Sequence, residues 1–522
     1  MWRELAMFDR YRRGLEHFLS EPVTAAEAER TVRARLAVRS QAFAEFIDRA
    51  VFQVPASPYL RLMEHAGVTT GDVAELVARR GVEGALDALF EAGVRLSLHE
   101  FKGRVAIRRG SLTVPASHHD FDNPLRNEHF AGMTSGSSGS RRRLLLDLAM
   151  VAHDAACYEG FCDAFSIAER PMGVWRPVPP DNSGIKKLLM RARANRPVER
   201  WFTQQPFRWG GGQARYAAFT AYTLRRCRQR GHRLPSPEHV PLDQAGLVAE
   251  WLADAVAAGR PAHLDTLVSA AVRVCLAARR SIAGTFFRVG SEPLTPEKAR
   301  IIRAAGCTAG VHYSTAETGP IAMGCGVGQD ADDLHLLTSK VALITTPAPE
   351  PSRSRALHLT SLLPSSPKLL LNVELGDVAE VEDRACACAL GRWGLHTHLH
   401  AIRSYEKLTG EGVTFLGSDL VTLLEDVLPR EIGGTPLDYQ MREDEQGGLS
   451  IVSLLVSPRL GPIDEARVTA VVHAHLGARD VGHRLMSSLW RQGQTLRIRR
   501  QEPVATPSGK VLPLGRRPRH DA

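Results

Sequence analysis

Lysine is scarce in this sequence: of its 66 basic residues, eight are lysine and the rest arginine. The bias is compositional and excludes no function by itself, but it makes every lysine conspicuous in a chain that otherwise writes arginine. Long apolar runs are also missing. No stretch of about 18 apolar residues occurs, which excludes a membrane-spanning helix. The opening segment MWRELAMFDRYRRGLEHFLSEP has neither an apolar signal core nor a small-residue cleavage site; it reads as an amphipathic helix, and the expected location is cytoplasmic. Cysteine is thin, eight in 522 residues. In a long chain of that location they make no disulfide framework, and most should be small buried apolar residues. There is no internal repeat and no long low-complexity segment. Two catalytic signatures are absent as well. Without G-x-x-x-x-G-K-[ST] there is no P-loop, and without G-x-S-x-G there is no hydrolase elbow.

What remains is an ordinary globular composition, 44% hydrophobic and 24% charged. At roughly 100–200 residues per domain, the length predicts more than one domain or one large subdivided one. The net charge of +9 suits an anionic ligand. The basic residues are interspersed with acids, however, and no nucleic-acid-binding module accompanies them, so no nucleic-acid partner is expected.

Apolar spacing predicts helices through most of residues 1–100 and short strands over 101–118. LLLDLAMVAHDAACYEGFCDAF reads as a strand passing into a helix. Residues 235–280 read as helical, most clearly PAHLDTLVSAAVRVCLAAR. TFFRVGSEPLTPEKARIIRAAGC reads as strand, loop, helix, with Thr295 as N-cap and Pro296 in the first turn. LHLTSLL and LLLNVELGDVAEV read as strands. Strand and helix alternate from about 140 to 320, which predicts α/β layers. The last stretch of roughly 120 residues, with helices VTLLEDVLP and EARVTAVVHAHLG and strands GLSIVSLLVSP and QTLRIRRQEPV, reads as a small α+β unit.

The densest motif is TSGSSGSRRR, residues 134–143. As a plain surface loop it asks for no ligand. As a phosphate loop, its glycines let the backbone approach an anion, its hydroxyls and N–H groups donate to phosphate oxygens, and the arginines add charge. Downstream, in order, come VGSEPLTPEKARIIRAAG, VHYSTAETGP, VELGDVAEV, IRSYEKLTGEGVTF and VATPSGKVLPL. This ordered set resembles the ANL adenylate-forming superfamily, which includes acyl-CoA synthetases and nonribosomal adenylation domains. Within it the sequence resembles the phenylacetate–CoA ligase branch, over about residues 55–515. The resemblance implies an α/β fold: a large multi-layered N-terminal adenylate-forming domain, residues 1–402, plus a small mobile α+β C-terminal lid, residues 403–522.

Carried over residue by residue, the resemblance gives Thr134, Ser135, Gly136, Ser137, Ser138 and Gly139 to the triphosphate. Gly290, Ser291, Glu292 and Pro293 flank the adenine, Tyr313 stacks near the base, and Asp377 accepts the ribose hydroxyls. Glu317 sits where the family binds Mg²⁺. Arg403 precedes the interdomain hinge, and Lys510 matches the catalytic lysine. The implied reaction joins ATP and a small-molecule carboxylic acid into an acyl-adenylate, with CoA as acceptor. Parts of residues 150–290, including CYEGFCDAF and RWGGGQARYAAFTAY, would line the acid pocket; a homodimer stays an option. The sequence also departs from the family. Arg141-Arg142 replace Pro–Lys or Pro–Thr, Ala316 stands where a Thr is usual, VELGD replaces YRTGD, and Tyr405 stands where the hinge usually has Asp. These departures keep two alternatives open: transfer to an amine, a carrier protein or a protein side chain, and a degenerate relative that binds nucleotide or acyl groups without turnover.

Cys325, His335, Cys386 and Cys388 make up a Cys₃His donor set of the kind that closes around structural Zn²⁺. The spacing is not that of a zinc finger. Members of the phenylacetate–CoA ligase branch can carry zinc on a Cys, a following His and a later Cys-x-Cys, and these four residues match that order. Unmetallated buried cysteines are the competing reading. His396, His398 and His400 in GLHTHLHAI are a rival ligand source, or simply a polar strand face.

Overall fold

The computed structural model describes residues 2–133, 143–207, 214–327, 332–348, 353–404, 407–410, 413–478, 481–504 and 514–515. The N-terminal hundred residues are helical, in segments that include Trp2–Ser20, Ala25–Ala37, Arg39–Ile47, Pro58–His65 and Thr70–Glu91. Their starts follow from local chemistry. Thr24 with Glu27, and Thr69 with Asp72, form reciprocal capping boxes that satisfy N–H groups with no partner inside the helix. The expected short strands are the hairpin Ile107–Arg109 and Leu112–Val114.

Twelve strands form one sheet. Half of it is parallel: Thr308–Thr315, Phe286–Gly290, His263–Leu267, Met172–Trp175, Arg200–Thr203 and Pro237–His239, in that spatial order. The other half is antiparallel and continues from Thr308–Thr315 through Gly319–Gly324, Leu334–Leu336, Thr397–Ser404, Val373–Asp383 and Arg355–Ser361 to Val341–Pro347. Parallel strands covered on both faces read as continuous apolar runs. This explains one difference from the sequence reading. HLDTL, read as part of a helix, is a strand whose five residues are all buried, and it passes directly into the helix Val268–Ala277. A short apolar run carries no period that separates the two structures.

Arg143–Leu146 is the expected strand and Leu148–Ala164 the expected helix, which starts where Asp147 accepts the Ala149 N–H at 2.8 Å. Thr295 caps Pro296–Ala304. The C-terminal region builds its own four-stranded sheet, ordered Leu496–Arg500, Leu449–Val456, Tyr439–Gln446, Leu514–Gly515, with helices Glu465–Gly477 and Val481–Gly493. It packs on the large unit beside the Pro296–Ala304 helix. Thr295 Oγ1 donates to Glu445 at 2.7 Å, Lys298 Nζ to Ser450 Oγ at 2.8 Å, and Arg273 to the Gly493 carbonyl at 2.7 Å. No described helix is long and apolar enough to cross a membrane.

Candidate active site

Where the parallel strands end, several of the expected residues come together. Phe286–Gly290 ends at Gly290, next to His312 on the neighbouring strand. A Cβ on Gly290 would lie 2.6 Å from both the His312 ring and its carbonyl oxygen, so only glycine fits. Ser291 then takes a left-handed backbone, φ +71°, a conformation uncommon outside glycine. Glu292 turns inward. It accepts from the Ser269 hydroxyl at 2.8 Å and the Ser269 N–H at 3.2 Å, and Lys298 Nζ lies 3.6 Å away. The carboxylate pins the loop to the helix Val268–Ala277, which leaves the backbone of residues 290–293 to border a ligand.

Tyr313 and Asp377 are 64 residues apart and meet directly. The phenol donates to Asp377 Oδ2 at 2.7 Å. Burial, reinforced by the adjacent carboxylate, pushes the Tyr313 hydroxyl well above its ordinary pKa, so it remains a neutral donor. Asp377 is buried on Val373–Asp383, paired across the sheet with Ser404, and Arg403 is the next residue along that partner strand. The Arg403 guanidinium is half exposed, 3.5 Å from Asp332. The expected domain boundary at 402/403 therefore falls within the strand Thr397–Ser404.

Glu317 occupies the turn between Thr308–Thr315 and Gly319–Gly324. Its carboxylate accepts from Lys102 Nζ at 2.5 Å, and both side chains are buried. Burial alone would raise this carboxyl, but the Lys102 charge, with a further pull from His118, brings it down to about 2. Nothing in the motifs pointed to Lys102; the scarcity of lysine was the available signal. In the same turn the Thr315 and Thr318 hydroxyls bond each other at 3.0 Å, beside Ala316. Thr134, Ser135, Gly136, Ser137, Ser138, Gly139, Arg141, Arg142, Tyr405 and Lys510 lie outside the described residues. The strands flanking the loop, Phe130–Met133 and Arg143–Leu146, pair antiparallel.

Away from this group, the structure gathers Cys325, His335, Cys386 and Cys388, with all four donor atoms within 4.8 Å of one another. Cys325 and Cys386 sulfurs are 3.7 Å apart, near the roughly 3.8 Å edge of a tetrahedron built on zinc–sulfur bonds of about 2.3 Å. His335 Nε2 is 3.1 Å from Cys388 Sγ, while its Nδ1 pairs with the Leu395 carbonyl at 2.7 Å, which fixes the ring. The Gly391 N–H donates to Cys388 Sγ at 3.2 Å. The His398 ring lies tilted against His335, with centroids 4.0 Å apart, but its Nδ1 is engaged by Asp333 at 2.7 Å; His398 is not part of the donor cluster.

No protein-family model and no curated protein sequence matches the chain. Among solved structures, a 2-hydroxyisobutyryl-CoA ligase in complex with 2-HIB-AMP and CoA is similar over 95% of this chain and 91% of its own, with a TM-score of 0.54 and 16% identity. An o-succinylbenzoate CoA synthetase from Bacillus subtilis is similar over 73% of this chain and 68% of its own, with a TM-score of 0.42 and 10% identity. The first likeness shows that the fold is that of adenylate-forming enzymes.

Proposed function

We propose that this chain is an ATP-dependent carboxylic acid ligase that forms an acyl-adenylate and passes the acyl group to CoA. The observation that carries the reading is the meeting of Tyr313 with Asp377, beside the turn that holds Glu317, at the strand ends of an adenylate-forming fold. A solved structure similar to it in fold over 95% of the chain is named as a 2-hydroxyisobutyryl-CoA ligase.

In this reading the base lies against Tyr313 and the backbone of Gly290, Ser291, Glu292 and Pro293. Asp377, already oriented by the Tyr313 hydroxyl, offers two acceptor oxygens to the ribose hydroxyls. Residues 134–139 donate to the triphosphate. A carboxylate oxygen of the acid attacks the α-phosphorus, and pyrophosphate leaves with the electron pair of the broken P–O bond. Negative charge grows on phosphoryl oxygens, so fixed cations in a water-poor site stabilise the transition state. Lys102 is one such cation, held by Glu317. Glu317, ionised and buried, is suited to Mg²⁺, which would neutralise phosphate charge when bound. Lys510 supplies a compact ammonium that bridges acyl and ribose oxygens. Arg403 stands before the hinge about which the lid, residues 403–522, rotates for thioester formation.

The Cys325, His335, Cys386 and Cys388 cluster is assigned to a structural Zn²⁺. Its donor chemistry, its near-tetrahedral sulfur spacing and the hydrogen bonds to Leu395 and Gly391 all fit a closed site.

A second reading keeps adenylation but transfers the acyl group to an amine, a carrier-protein thiol or a protein side chain. Tyr405, where the hinge of the family usually has Asp, favours it. Pyrophosphate and AMP release from ATP and an acid panel, with and without CoA, tests both readings. AMP release that depends on the acid and rises with CoA supports the first. AMP release indifferent to CoA turns the assignment to the second.

A further inference from the structure

Beneath Gly290 the sheet carries a buried charge cluster that the proposed mechanism does not use. Asp265 on His263–Leu267 and Arg288 on Phe286–Gly290 are register partners on adjacent parallel strands, both fully buried. Arg288 Nη1 donates to Asp265 Oδ2 at 2.5 Å, and Arg176 Nε donates to Asp265 Oδ1 at 2.8 Å. Lys187, from the helix Ser183–Arg193, adds a third cation 3.7 Å from the same carboxylate. Three cations therefore surround one acid. Of the two buried acids on the covering helix Leu148–Ala164, Asp154 pairs with Lys340, and burial raises the Glu159 carboxyl against the opposing pull of the Arg191 charge.

The excess is visible atom by atom. Among the described residues, Nε and Nη2 of Arg288 and Nδ1 of His312 are buried without a hydrogen-bond partner. The faces of the Arg288 guanidinium are covered by Tyr158 and Phe161, 4.6 and 5.1 Å to the ring centroids, so its edges are what remain for a ligand. His312 links the cluster to the strand end, because its ring abuts Gly290. Buried cations left without an anion are costly, and strongly perturbed ionisable groups cluster at functional sites.

We propose that Arg288 and Lys187, with His312 at the entrance, form a subsite for a second anionic group on the acid, so that the substrate is a dicarboxylic acid adenylated at its distal carboxylate. This deepens the adenylate-forming reading and rests on it. Asp265 already accepts from Arg176 and Arg288 with Lys187 beside it, so the cluster holds more positive than negative groups and favours an added anion over an added ammonium. Arg288 lies two residues below Gly290, about 7 Å along a strand, so the cluster adjoins the strand end at which the nucleotide is proposed to bind, and the diacids tested below span short aliphatic and aromatic lengths. Burial and the neighbouring Arg288 charge bring Lys187 down to about 7, the direction expected of a cation awaiting its counter-ion.

The test pairs each diacid with its monoacid: glutarate with valerate, adipate with hexanoate, isophthalate with benzoate. Pyrophosphate release is measured for wild type, Arg288→Met and Lys187→Met, and calorimetry follows diacid binding directly. The expected result is a diacid-to-monoacid ratio of kcat/KM of about a hundred or more for at least one pair, since unpaired buried polar groups reject the shorter-handed analogue. Lys187→Met, the less disruptive change should Arg288→Met fail to fold, should lower that ratio at least about tenfold. Monoacids that perform as well as diacids, or a ratio that Lys187→Met leaves unchanged, overturn the subsite while adenylation stands. If no acid releases pyrophosphate, adenylation fails and calorimetry decides the subsite. Diacid binding weakened by Lys187→Met upholds it, and no diacid binding overturns it.

Discussion

Five of the few lysines in this arginine-rich chain are buried, and each faces a carboxylate: Lys102 with Glu317, Lys187 with Asp265, Lys298 with Glu292, Lys340 with Asp154, Lys368 with Asp122. An ammonium is a compact point charge, and it fits where the planar guanidinium fork does not. The Lys102–Glu317 pair yields the sharpest prediction at this scale. Lys102→Met leaves a buried carboxylate uncompensated and should cost about 3–5 kcal/mol in urea denaturation; adding Glu317→Gln should restore most of it. The pH dependence follows from the sign of the shift. Glu317 is depressed from 4.5 to about 2, so its contribution is fully present above pH 4.5 and is lost as pH falls toward 2. Lys102→Met should therefore flatten the acid limb of the stability profile; an unchanged limb contradicts the pairing. Tyr313→Phe removes the donor to Asp377 and should raise the KM for ATP about tenfold with little change in fold; an unaltered KM would separate this hydrogen bond from nucleotide binding.

At the scale of elements, legibility depended on whether a local signal existed. Thr295-Pro296 announced a helix start because capping is a property of adjacent residues. HLDTL did not announce a strand, because burial on both faces erases the alternation that marks one. The strand Tyr439–Gln446 was unread for a different reason: its sequence, YQMREDEQ, is largely polar and is held in the sheet by pairing with Leu449–Val456. The four residues of the Cys₃His cluster were named from order alone, yet their convergence needs the strands Gly319–Gly324 and Leu334–Leu336 and the segment before Ala389–Arg392 to meet. That convergence predicts about one zinc per chain in protein purified without a His tag. Less than half an equivalent would remove the metal from the account. Cys388→Ser should lower both zinc content and melting temperature. Gly290→Ala should drive a methyl group into His312 and cost about 1–3 kcal/mol; a neutral result would mean that the strand end relaxes freely.

At the scale of the whole molecule, the motifs in order implied the fold, and the likeness to an acid–CoA ligase over 95% of the chain bears it out. Lys102 and the Asp265 cluster were not legible, since ion pairs across 215 or 23 residues leave no mark on spacing. The C-terminal unit rests on Thr295 and Lys298, directly after the 290–293 loop. If this unit is the lid that brings Lys510 to the acyl and ribose oxygens, Lys510→Ala should abolish adenylation and leave ATP binding nearly intact by calorimetry. Undiminished pyrophosphate release in that variant would contradict the role. The central claim is adenylate formation, and its most direct test is pyrophosphate release from ATP and Mg²⁺ across aryl, fatty, amino and dicarboxylic acids. The account predicts release that depends on the acid and is followed by CoA-stimulated AMP production. ATP binding without release for any acid would contradict it and leave a nucleotide-binding protein without ligase chemistry.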